Sequence, residues 1–171
     1  MFGAAGQPAA LEHSEEGLSG PGTMGDEARE QRREHFPYRL SVPSRWEDND
    51  MLRHVNNAVY FHYFQQAFVT FLREEARIDW FSDQVIPFAA ESSCRFWRPI
   101  SYPDIVEVGL RVGRIGASSV TYEFGLFREG EAEPAATGGL VHVYVDRDSL
   151  RPAPMPERLR AAYARLLRPG P

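Results

Sequence analysis

Lysine is missing from all 171 residues, so the 19 basic side chains are arginines. Schiff-base chemistry and a phosphate loop built on lysine are thereby excluded. Any side-chain cation that meets an anionic ligand has to be a guanidinium or an imidazolium. Cysteine is nearly as scarce: Cys94 stands alone, which excludes an internal disulfide and a multi-cysteine zinc site. No apolar run approaches the roughly 20 residues that cross a bilayer, and no basic start leads into an apolar stretch. Neither a secretory signal nor membrane insertion is expected, and the cytoplasm is the expected compartment. A GxSxG elbow, a glycine-rich dinucleotide fingerprint and an HExxH helix are all missing, which disfavours an α/β-hydrolase, a Rossmann enzyme or a zinc protease. His62 lies eight residues from His54 with no third ligand in pattern, so no metal and no other cofactor is expected. A net charge of −5 offers no broad basic field to nucleic acid.

What is present is an apolar fraction of 43%, enough for one domain with a core of its own. Charge divides the chain into three parts. Residues 1–36 carry three arginines against seven acids and are rich in Gly, Ala, Pro, Ser and Glu, which reads as a flexible tail; Met24 inside it is a candidate translation start. Residues 37–150 form the expected domain, with net charge −5, and residues 151–171 form a basic segment of +4.

The domain opens with a predicted strand, Tyr38–Trp46, in which Pro43 points to an edge position. Asn56 or Asn57 can cap a helix running to about Arg77. Its polar residues His62, Gln65, Gln66, Thr70 and Arg73 occupy one narrow stripe, leaving an apolar face wide enough to be wrapped by a sheet. Four extended segments follow: 87–98, 104–114, 118–128 and 135–145. In the middle two, Val106, Val108, Leu110 and Val112, then Val120, Tyr122, Phe124 and Leu126, alternate cleanly, as half-buried antiparallel strands do. A short basic helix, 157–167, closes an α+β pattern. His142 reads as a satisfied strand residue and Cys94 as a packed thiol.

The densest chemistry lies between strand and helix, where Glu47, Asp48 and Asp50 precede His54, Asn56 and Asn57. The residues alone allow two readings. One is a solvated acidic loop with an asparagine cap. The other is a reactive carboxylate beside a helix N-terminus, whose unpaired N–H groups can polarise a carbonyl. Asp48 is expected to fix the loop through backbone N–H groups, and Trp46 to pack beneath it. His54 can donate to an acyl group or move a proton near neutral pH, or can simply pack beside the cap.

The string Trp46-x-Asp48-x-Asp50-x-x-x-His54-Val55-Asn56-Asn57-x-x-Tyr60 resembles the signature of hotdog-fold acyl-CoA thioesterases of the 4-hydroxybenzoyl-CoA thioesterase type. Further matches follow in order: Arg98 to Asp104, Arg114 to Val120, Val143 to Asp146, and Arg151-Pro152, so that residues 37–160 are covered. The resemblance implies a hotdog fold: a five-stranded antiparallel sheet wrapped around one long central helix, in protomers paired as a homodimer or homotetramer. It implies hydrolysis of acyl-CoA to a carboxylic acid and free CoA, with no cofactor. Asp50 is then nucleophile or general base, and backbone N–H groups near Asn57 and Ala58 polarise the thioester carbonyl. Asn57 stands where one branch has tyrosine, which argues against an aromatic acyl group. Asn56, Tyr60 and Ser118 are implied in substrate binding, and Arg114 in holding the CoA phosphates. A non-catalytic acyl-CoA or acyl-carrier-protein binding module is the alternative, and a hotdog hydratase a more remote one, because hotdog domains host all three.

Overall fold

A computed structural model describes residues 28–168. The tail residues 1–27, with the candidate start at Met24, and the last three residues lie outside the described part. Five antiparallel strands form one sheet: β1 (Tyr38–Pro43), β2 (Val85–Phe96), β3 (Ile105–Ile115), β4 (Ser119–Arg128) and β5 (Ala136–Asp146), in the order β1-β3-β4-β5-β2. Pro43 ends the edge strand β1, where a missing N–H disturbs no central ladder. The long helix α1 (Val59–Glu74) lies on one face of the sheet, and the short α2 (Glu157–Ala164) closes one end.

The helix is set by its apolar face. Tyr60, Tyr63, Phe64, Ala67, Phe68, Phe71 and Leu72 are buried, and they meet the alternating residues of β3 and β4 predicted to face inward, all of which are also buried. Phe64 stacks on Phe124 with ring centroids 4.6 Å apart, and Phe68 stacks on Tyr122 at 5.9 Å. The N-cap position falls to Ala58, one residue past the asparagines expected to cap, with no side-chain cap; Asn56 Oδ1 instead accepts the Ala58 N–H at 3.0 Å in the turn that leads into the helix. The helix ends earlier than Arg77, because Arg77 takes a left-handed conformation (φ 50°) and Ile78 N–H closes back on Leu72 O at 3.0 Å.

The outer face of the sheet departs from the half-buried expectation. Phe36, placed in the tail by composition, is 1% exposed. It lies against the outer face of β3 and β4, above Gly109 and Gly125 and under the Arg111 guanidinium, which is 5.0 Å from its ring centre. A Cβ on Gly109 would come within 2.6 Å of Phe36 Cγ. Gly109→Ala is therefore expected to lift this segment and destabilise the protein by about 1–3 kcal/mol, as overpacking does; urea unfolding reads the loss directly.

Candidate active site

Residues 44–58 carry the chain from β1 to α1 through a short hairpin. Asn49 pairs with Val55, Asn56 N–H donates to Asp48 O at 2.9 Å, and Asp50 N–H donates to His54 O at 2.9 Å. Arg53, at φ 66°, makes the reversal. The loop between β2 and β3 braces this hairpin from outside: Val55 N–H bonds Ile100 O at 2.7 Å, and Tyr102 N–H bonds Asn49 Oδ1 at 3.1 Å. The motif Arg98 to Asp104 is thus a support for the site loop.

Asp48 and Asp50 have opposite surroundings. Asp48 is 1% exposed; its carboxylate accepts Arg45 N–H at 2.7 Å, Arg45 Nη2 at 2.8 Å and the Tyr63 hydroxyl at 3.0 Å. Burial alone would raise its carboxyl, but these bonds, with a further one from Arg45 Nε at 3.1 Å, hold it below the usual value. In turn burial, reinforced by the Asp48 charge, pushes the Tyr63 phenol well above its ordinary range. Asp48 therefore ties the loop to the middle of α1, as expected of it. Tyr63→Phe leaves one bond to a buried charge unmade, and a stability loss of about 1.5–3 kcal/mol is expected in denaturant unfolding.

Asp50 is exposed at the hairpin tip. Its Oδ1 accepts Leu52 N–H at 2.8 Å, and Oδ2 makes no hydrogen bond among the described residues. His54 lies across the hairpin from it, exposed, with no side-chain bond between the two. At the helix entrance the Ala58 N–H is occupied by Asn56, while Asn57 N–H makes no hydrogen bond among the described residues. Tyr60 is buried and its hydroxyl accepts Ile100 N–H at 3.3 Å. Arg114 and Ser118 lie at the hairpin between β3 and β4; Arg114 is exposed and makes no ion pair among the described residues. Asp50 and His54 face each other at the hairpin tip, Asn56, Asn57 and Ala58 follow at its base where α1 begins, and Arg114 and Ser118 belong to a separate hairpin.

Trp46 does not pack beneath the loop. It is 78% exposed, because the single 3-10 turn Trp46–Asp48 sends Asp48 inward instead; Met51 and Leu52 at the hairpin tip are exposed too.

Two hollows flank α1. One, of about 730 Å³, lies between β1 and the helix and is lined by Val42, Arg45, Asp48, Val59, His62 and Tyr63 among others. The second, of about 240 Å³, lies between α1 and β5, where Phe61, Phe64, Phe68 and Leu140 surround His142. His142, read from sequence as a satisfied strand residue, has an Nδ1 with no partner. It is 4% exposed, and burial lowers its imidazole to about 4. Cys94 is a packed thiol, pushed up to about 12 by burial.

The profile of the thioesterase-like superfamily matches residues 44–163, from the site hairpin to α2. The chain belongs to that superfamily. Among solved structures, the PA5185 protein of Pseudomonas aeruginosa is 42% identical over 80% of this chain and 96% of its own, with a TM-score of 0.78. A Thermus thermophilus thioesterase complexed with coenzyme A and zinc is 35% identical over 78% of this chain and 96% of its own, at a TM-score of 0.67. The uncharacterised Bacillus subtilis protein YsmA is 26% identical over 67% of this chain and 76% of its own. The fold of this superfamily member is the hotdog fold expected from its motifs.

Proposed function

We propose that this superfamily member hydrolyses acyl-CoA thioesters to a carboxylic acid and free CoA, with Asp50 as the reacting carboxylate. The observation that carries this reading is the hairpin between β1 and α1: at its tip an exposed carboxylate with one unengaged oxygen stands across from His54, and its returning arm leads into the unengaged Asn57 N–H at the mouth of α1. The thioester carbonyl accepts that N–H, and the positive end of the helix stabilises the oxyanion. Asp50 then either attacks the carbonyl, releasing CoA thiolate and leaving an anhydride for water to open, or takes a proton from an attacking water. Both routes return the carboxylate unchanged. His54 donates to the acyl oxygen or the leaving sulfur. Arg114 pairs with a CoA phosphate, in a chain where no lysine can. Coenzyme A in the T. thermophilus relative supports this ligand class.

The edge strand β2 supports a homodimer. It is 12 residues long, lies at the end of the sheet, and exposes Phe88 and Phe96, a surface that natural sheets cover. Two copies joined edge to edge would make one continuous sheet.

The Ala58 N–H, occupied by Asn56, favours a second reading, an acyl-CoA binding module without turnover. Thiol release measured over acyl-CoA esters of increasing chain length, beside calorimetry on the same esters, separates the two. Hydrolysis predicts repeated turnovers with at least one ester; saturable binding with no thiol released from any ester establishes the module.

A further inference from the structure

We propose that Tyr60 is a positioning residue: through the backbone of Ile100, its hydroxyl sets where the hairpin carrying Asp50 and His54 stands against the mouth of α1. The inference rests on the thioesterase reading and adds to it a residue that acts without meeting the substrate. It begins from a geometric demand. Asp50 and His54 occupy the hairpin tip, whereas the Asn57 N–H belongs to the start of α1, so a reaction shared between them needs a fixed separation.

The hairpin does not supply that separation by itself. The bond from Asp50 N–H to His54 O, the pairing of Asn49 with Val55 and the bond from Asn56 N–H to Asp48 O all join one arm to the other. They hold the hairpin together without fixing its tilt against the helix. Two phenols of α1 reach the two arms. Tyr60 and Tyr63 stand three residues apart on one helix face, with ring centres 6.5 Å apart. Tyr63 donates its hydroxyl to Asp48 on the outgoing arm. Tyr60 reaches the returning arm by a relay. Its hydroxyl accepts Ile100 N–H at 3.3 Å, and Ile100 O accepts the N–H of Val55, the residue next to His54, at 2.7 Å.

The relay has no substitute nearby. Ile100 N–H makes no other hydrogen bond among the described residues, and Ile100 and Val55 are both buried, where a lost bond is not replaced by solvent. The Tyr60 ring is itself held in place, with Phe96 at the end of β2 meeting it edge to face at 4.9 Å. The resemblance places Tyr60 among the substrate-binding residues. A phenol that is 3% exposed and engaged by a backbone N–H acts instead through the hairpin.

The test is Tyr60→Phe, which keeps the ring against Phe96 and removes the acceptor. Per folded molecule, kcat for acyl-CoA hydrolysis is expected to fall about tenfold to a hundredfold, with KM within about threefold of wild type, because small displacements of reacting groups cost on that scale. In the protein without substrate, the Val55 amide, followed by NMR, is expected to exchange with deuterium at least about tenfold faster, while amides of the β3–β4 ladder keep their wild-type rates. Gly109→Ala, weakened from the outer face of the sheet, controls for lost stability and is expected to keep the wild-type kcat per folded molecule. The proposal is overturned if kcat of Tyr60→Phe falls by less than tenfold, if the loss falls on KM, if Val55 exchange is unchanged, or if Gly109→Ala loses as much kcat. Should Tyr60→Phe not fold, the wild type decides: Ile100 and Val55 amides as protected as the β3–β4 ladder uphold the relay, and exchange at the rate of exposed amides overturns it. A wild type that turns over no ester contradicts the thioesterase reading alone, and Val55 exchange in Tyr60→Phe then decides whether Tyr60 positions the hairpin.

Discussion

Asp50→Asn is expected to lower kcat for thioester hydrolysis by about a hundredfold to a thousandfold or more, equivalent to roughly 2.7–4 kcal/mol of barrier by analogy with the loss of a single oxyanion donor. Asparagine keeps the shape of the side chain and an acceptor for Leu52 N–H, the one hydrogen bond the Asp50 side chain makes among the described residues. The fold should therefore be unaffected, with the same midpoint in urea. Its amide can neither attack a thioester nor take a proton from water, so the loss should fall on kcat, while KM, set by contacts remote from the hairpin tip, moves little. Asp48→Asn is the instructive contrast. Asp48 is buried under Arg45 and Tyr63, so that substitution should appear first as lost stability. Two aspartates one residue apart thus separate into a support and a reactive group, and steady-state kinetics combined with unfolding on both variants checks the division.

The second large effect is on stability in mild acid. An unfolded histidine takes up its proton near pH 6.5, whereas burial holds His142 neutral down to about 4 in the folded protein. Between these values the unfolded state binds one more proton than the folded state. The His142 contribution is fully present above pH 6.5 and is lost as the pH falls to 4, at up to about 1.4 kcal/mol per pH unit and about 3 kcal/mol in all. Asp48 acts with the same sign at lower pH, because its carboxyl is held below the normal value and its stabilisation disappears on protonation. Urea unfolding of wild type and His142→Leu at pH 7, 5.5 and 4 isolates the histidine. The difference between the two proteins should widen steadily toward pH 4, and parallel loss in both would contradict an uncharged, buried His142.

The parts that were legible in the sequence are those written in local pattern. Alternation along β3 and β4, the apolar stripe of α1 and Pro43 at an edge all arise from neighbours within a few residues, and each is found where it was expected. The cluster Asp48 to Asn57 could likewise be recognised because the hairpin holding it is local. What escaped depends on partners distant in sequence. Phe36 is bland in a polar segment until Gly109 and Gly125 open a slot for it. Tyr63 looks like any aromatic on a buried helix face until Asp48 meets its hydroxyl. His142 did leave a trace, as a polar residue on an alternating apolar face. That trace is ambiguous, because whether Nδ1 finds a partner depends on Phe68 and Tyr122 from other elements. Trp46 was misplaced for a related reason: a single 3-10 turn decides which of two adjacent side chains goes inward.

The central claim, that water cleaves an acyl-CoA at this site, is tested most directly by running the reaction in ¹⁸O-water and following both products by mass spectrometry. Over many turnovers the account predicts one free CoA for each carboxylic acid, with the acid carrying solvent oxygen and both products falling at least a hundredfold in rate with Asp50→Asn. Acyl-CoA recovered intact after saturating the wild-type protein, or labelled acid formed equally fast by Asp50→Asn, would contradict it.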